Sequence, residues 1–86
     1  MAVKRSRVGK AFGIALREAR EASRITQEEL ASRASYASNY ISLLETAKRQ
    51  PTISSILALE NALSLAPGAL VQRTHAILVS NARRSR

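Results

Sequence analysis

Cysteine, aspartate and tryptophan are all missing from this chain of 86 residues. Without cysteine there is no disulfide framework, zinc ribbon or thiol nucleophile. The single histidine, His75, sits far along the chain with no evident acidic partner, and nothing resembles a phosphate loop or a metal cluster. No enzyme, metal, cofactor or small-molecule ligand is therefore expected. Phe12, Tyr36 and Tyr40 are the only aromatics, too few for the stacking surface that single-stranded RNA requires. No apolar run is long enough to span a membrane, and the start, "MAVKRSRVGK", lacks the apolar stretch of a signal peptide. The expectation is a cytoplasmic protein without a membrane partner.

What is present is a core of Leu, Ile and Ala within a chain that is 45% apolar, enough for one domain but with little to spare. The formal net charge is +8, and its distribution matters more than its size. Between residues 11 and 82 the seven Arg and Lys are nearly balanced by the six glutamates. The remaining cations sit at the ends: Lys4, Arg5, Arg7 and Lys10, then Arg83, Arg84 and Arg86. A nearly neutral body with basic ends either grips a polyanion through its arms or merely carries solubilising tails. Accordingly the chain divides into a basic N-terminal arm over 1–8, a folded domain over 9–82 and a basic tail over 83–86.

Apolar spacing reads helical almost throughout, so the fold class is all-α with five short helices. Phe12, Leu16 and Ala19 share one face of a first helix over about Gly9 to Ser23, with Arg17, Glu18 and Glu21 turned away. Thr26-Gln27-Glu28-Glu29 is the pattern of a capping box, and Ile25 with Leu30 fits the accompanying hydrophobic staple. The helix opened there ends near Ala34. A third runs from about Ser38 to Thr46, with Ile41 and Leu44 inward. Pro51 is a stop signal and Thr52 the next N-cap, followed by an inner stripe of Ile53, Ile56, Leu59 and Leu63. Pro67 suits the first position of a fifth helix whose stripe is Leu70, Val71, Thr74, Ile77 and Leu78.

Two short helices at 26–45, joined by a few residues, are what a helix-turn-helix requires, since neither is stable without its neighbours. From about Phe12 to Leu70 the chain resembles the lambda-repressor-like, Cro-type (XRE) family of transcriptional regulators. The residues that carry the likeness are "LREARE", "ITQEELA", "YISLLE", "KRQPTI" and "LALENALSL", in order. The resemblance implies a compact five-helix DNA-binding domain with the motif on helices 2 and 3. Its implied function is sequence-specific binding of double-stranded DNA, by default as a repressor.

By this resemblance Ser38, Asn39, Ser42 and Leu43 face the bases. Asn39 is the strongest reader, because a carboxamide can donate and accept to adenine in one plane, and Ser38 pairs with either type of group. Leu43 can only touch a thymine methyl or join the core, and Ser42 can simply permit close approach. Gln27, at the start of helix 2, is implied as a phosphate contact, where free N–H groups and the helix dipole favour an anion; otherwise it is a solvated first-turn residue. Lys48 and Arg49 follow the recognition helix and are candidates for the DNA backbone, with Arg33 weaker. Tyr40 either reaches a phosphate or fills the seam between helices. Lys4, Arg5 and Arg7 would lie along DNA as an arm. Arg20 and Glu45 are implied as a partly buried ion pair, while Glu60 either joins that pair or reaches solvent.

The family has glycine where this chain has Arg24, Ser35, Ala47 and Ser64, which implies strain or different turns. Ala37 stands where a capping hydroxyl is expected, leaving Ser35 or Ser38 to cap. Val71, Ile77, Leu78 and Val79 exceed one narrow stripe and could pair with the same helix of a second copy. Such a homodimer would present two recognition helices about 34 Å apart to a palindromic operator. The competing reading is a protein-interaction module, an antitoxin or assembly subunit with weak or secondary DNA binding.

Overall fold

The computed structural model describes residues 5–84, with side chains from 6 to 81. Lys4 and Arg86, and the side chains of Arg5, Arg83 and Arg84, lie outside the described residues. The elements are α1 (Arg5–Ala22), α2 (Gln27–Ala34), α3 (Ser38–Glu45), α4 (Ile53–Ala62) and α5 (Ala69–Arg84), with no strand among the described residues. Helix α1 packs against α5 and α3, while α2 packs against α3 and α4. Phe12, Leu16, Leu30, Ile41, Leu44, Leu59 and Leu70 form the centre of one core. Burying such side chains is worth about 1.5–3 kcal/mol each, which is what holds helices too short to persist alone.

Helix α1 starts four residues before the expected Gly9. Val8 stands one turn before Phe12 and lines the same cleft, so the apolar face extends a turn further. Arg5 and Arg7 consequently ride on a helix rather than on a free arm, and Arg7 is exposed.

The two Thr-capped starts form as the local pattern requires. The Thr26 hydroxyl accepts from Glu29 N–H at 3.0 Å, and the Glu29 carboxylate accepts from Thr26 N–H at 3.1 Å. Thr52 and Ser55 repeat the exchange at 2.9 and 3.0 Å. That second box sets the phase of α4 and overturns the expected stripe. Ser55 is fully buried, whereas Ile53, the first helical residue, is 73% exposed. Ile56 is half-buried, and Leu59 and Leu63 are inward as expected.

Two further expectations are corrected between α4 and α5. Pro67 is not the first residue of α5; it sits in a turn closed by Ala69 N–H on Ala66 O at 3.0 Å, with Gly68 at φ +92°. Proline then glycine at the two central places is the signature of a type II turn. Glu60 neither joins Arg20 nor reaches solvent. Its buried carboxylate accepts from Gly68 N–H at 3.0 Å and from Leu70 N–H at 2.9 Å, capping the start of α5 from the preceding helix.

Arg24, Ser35, Ala47 and Ser64 keep the left-handed backbone that glycine would supply, at φ 57°, 63°, 61° and 56°. Each ends a helix the same way: its N–H and the next residue's both turn back onto carbonyls of the last turn, as when Tyr36 N–H reaches Ala31 O at 2.8 Å. These are Schellman ends built without glycine, so the turns take the shape glycine favours at the cost of a strained backbone.

Candidate nucleic-acid interface

Helices α2 and α3 are each eight residues long, and each keeps only two residues fully buried: Leu30 and Ala31 on one, Ile41 and Leu44 on the other. Ala34 and Tyr40 pack against the same core, which leaves the exposed polar residues of both helices free for function. Between them Ser35 ends α2 and Ala37 precedes α3 in extended conformation, with no side-chain cap. Neither Ser35 nor Ser38 replaces the missing hydroxyl. The start of α3 therefore presents backbone N–H groups unmasked by any side chain of its own cap.

Of the four expected base-facing residues, Ser38 and Asn39 are exposed on that first turn, and Ser42 and Leu43 are half-buried. Lys48 and Arg49 are exposed in the loop after α3, their N–H groups donating to Leu43 O at 2.9 and 3.2 Å. The loop is thus tied to the end of α3 instead of hanging free. Arg33 is exposed in the last turn of α2.

Tyr40 occupies the seam between helices, one of its two expected places. Its hydroxyl donates to Ser55 Oγ at 3.1 Å, inside the capping box of α4, and its ring centroid lies 4.8 Å from that of Tyr36. A phenol has one O–H to donate, and here it is spent within the fold. Tyr40 instead seals α3 to α4, and the Arg49 guanidinium sits 5.8 Å from its ring centroid. A cation over an aromatic face is weakly attracted, which biases where Arg49 stands.

The expected ion pair is present and does more than join two helices. Arg20 Nε and Nη2 donate to the two Glu45 oxygens at 2.7 and 3.1 Å, and Nη1 donates to Ile25 O at 2.9 Å. The Glu45 side chain is 3% exposed, so the pair is largely withdrawn from water. The hydrogen bond to Glu45 holds the Arg20 guanidinium pKa above its ordinary value, against the opposing effect of burial. Arg20 thereby anchors both the end of α3 and the turn that leads into α2. Gln27 is drawn into the same cluster, donating from Nε2 to Glu45 Oε1 at 3.1 Å.

Sequence reasoning missed Gly13. A Cβ at this position would lie 2.6 Å from Glu45 O and 2.7 Å from Leu44 O, so only glycine allows α1 to pass this close to the end of α3. Helix contact of this kind depends on three-dimensional packing, and no local pattern announces it. Gly13 and Arg20 together fix the end of α3 from α1.

The four α5 residues offered for pairing divide. Val71 and Val79 are 50% and 37% exposed, while Ile77 and Leu78 are half-buried. Val71 also borders an apolar cleft of about 170 Å³ with Val8, Phe12, Pro51 and Ile56. No helix among the described residues is long and apolar enough to cross a membrane.

Known proteins place this arrangement. The sequence pattern of the helix-turn-helix domain matches residues 11–73. Two solved structures of the clp gene regulator ClgR from Corynebacterium glutamicum share the fold. One superimposes with a TM-score of 0.75 at 23% identity, covering 80% of this chain and 90% of that one. The other gives 0.80 at 22% identity, covering 91% and 84%. No curated protein matches in sequence.

Proposed function

We propose a role that starts from membership: this chain belongs to the helix-turn-helix domain family, and it acts as a DNA-binding transcriptional regulator. The finer reading is a repressor in the cytoplasm that covers a promoter. One observation carries it above the others. Helix α3 offers a polar, exposed and uncapped first turn, while its far end is clamped to α1 by Arg20–Glu45 and the close approach at Gly13. A rigidly held helix with a free polar tip is the geometry that enters a major groove.

In this reading Asn39 and Ser38 read base edges, with Ser42 and Leu43 contributing less because they are half-buried. Gln27, Lys48, Arg49 and Arg33 hold phosphates. Exposed Val71 and Val79 support pairing of α5 with a second copy and hence a palindromic operator. The test is selection from a random duplex library with purified protein. An enriched, symmetric motif is expected; a retained pool without any motif contradicts the regulator.

A second reading has its own support. The apolar cleft, with Val71 beside it, and the exposed Ile53 and Leu57 on α4 favour a protein-interaction module. Absence of an enriched motif together with full folding selects that alternative.

A further inference from the structure

The Gln27 amide is already held before any DNA arrives. Glu45 Oε1 accepts from Gln27 Nε2 and from Arg20 Nη2, each at 3.1 Å, while Glu45 Oε2 is taken by Arg20 Nε at 2.7 Å. An ionised carboxylate only accepts, so the nitrogen end of the Gln27 amide, and not the oxygen end, faces Glu45. That nitrogen carries two N–H groups, and Glu45 takes one. Its partner on the same nitrogen is left in a fixed orientation at the half-buried start of α2.

We propose that Glu45 is a positioning residue for the Gln27 phosphate contact: the Arg20–Glu45 pair locks the amide so that its second N–H meets a DNA phosphate. The proposal rests on the reading of Gln27 as a phosphate contact. Freezing a flexible glutamine at an interface opposes binding, and here that ordering is complete on folding. The same carboxylate also ends the recognition helix. Phosphate grip and recognition-helix placement are therefore set by one buried group, and a shift of α3 loosens both together.

The experiment is a double-mutant cycle on the duplex enriched by selection. Gln27→Ala is compared in the natural chain and in an Arg20→Met/Glu45→Leu background, which removes the acceptor without stranding a charge. Thermal midpoints are measured alongside to separate folding from binding. In the natural chain Gln27→Ala is expected to weaken binding about tenfold, the worth of one hydrogen bond to a charged group. Its salt dependence should not change, because an amide releases no counterions. In the paired background the same substitution should matter less than about twofold.

An equal loss in both backgrounds overturns the positioning role and leaves Gln27 as a phosphate contact. No loss in the natural chain overturns the contact itself, and with it the proposal; failure to enrich any duplex does the same. Should the paired background not fold, the side-chain amide of Gln27 decides by NMR without DNA. One of its two protons should be protected from exchange relative to the exposed Gln72; exchange equal to Gln72 contradicts the lock.

Discussion

Gly13 of α1 lies against the carbonyl of Glu45 so closely that an added Cβ would sit 2.6 Å away. Gly9, one turn earlier, has room: its nearest neighbour would be the Gln50 amide at 3.5 Å. The two glycines should therefore respond with opposite signs. Gly9→Ala should stabilise by about 0.5–1 kcal/mol through helix propensity. Gly13→Ala gains the same propensity but forces α1 from α3, costing about 1–3 kcal/mol. Chemical denaturation of both variants checks this, and Gly13→Ala should also bind DNA more weakly because the recognition helix is displaced.

The four left-handed residues make a second prediction. Arg24→Gly, Ser35→Gly, Ala47→Gly and Ser64→Gly each relieve a backbone strain of about 1–2 kcal/mol. Each also loosens the unfolded chain by about 0.4–1 kcal/mol, leaving a net gain near half to one. All four helix ends keep the same hydrogen bonds, so the gains should add. A higher midpoint for each single variant is the expected result in thermal unfolding.

Tyr40→Phe distinguishes a phosphate contact from a seam. It removes the hydroxyl bond to Ser55 and should lower stability by about 1 kcal/mol. The salt slope of DNA binding should be unchanged. Loss of affinity without loss of stability would return Tyr40 to the DNA backbone.

Glu60 is the tie between α4 and α5. Glu60→Leu fits the apolar surroundings but leaves the N–H groups of Gly68 and Leu70 buried or unpaired, at a cost of about 1–3 kcal/mol each. Hydrogen exchange should show α5 opening first, since α5 otherwise leans mainly on α1.

What could be read from the sequence was what is decided within one turn of helix. The Thr26 and Thr52 starts and the inward Leu44 and Leu59 all depend on neighbours a few residues apart. Arg20 with Glu45 was legible only through family likeness, because the partners are 25 residues apart. Misreadings came from two sources. Helix α4 is short and apolar on several sides, so the position of Ile53 was fixed by the capping box and not by its own hydrophobicity. The partners of Tyr40 and Glu60 lie 15 and 8–10 residues away, in elements whose approach no local pattern encodes. Ser38 and Asn39 lie exposed on the first turn of α3.

The central claim is that the first turn of α3 reads bases while the loop after it holds the backbone. It is tested most directly by comparing Asn39→Ala with Lys48→Ala/Arg49→Ala on the enriched duplex and on scrambled DNA. Asn39→Ala should lose about 1–3 kcal/mol on the enriched duplex alone. The paired cation variant should weaken both DNAs alike and reduce the salt slope by about two. If Asn39→Ala weakens both DNAs equally, or neither, α3 is not the reading helix and the account fails.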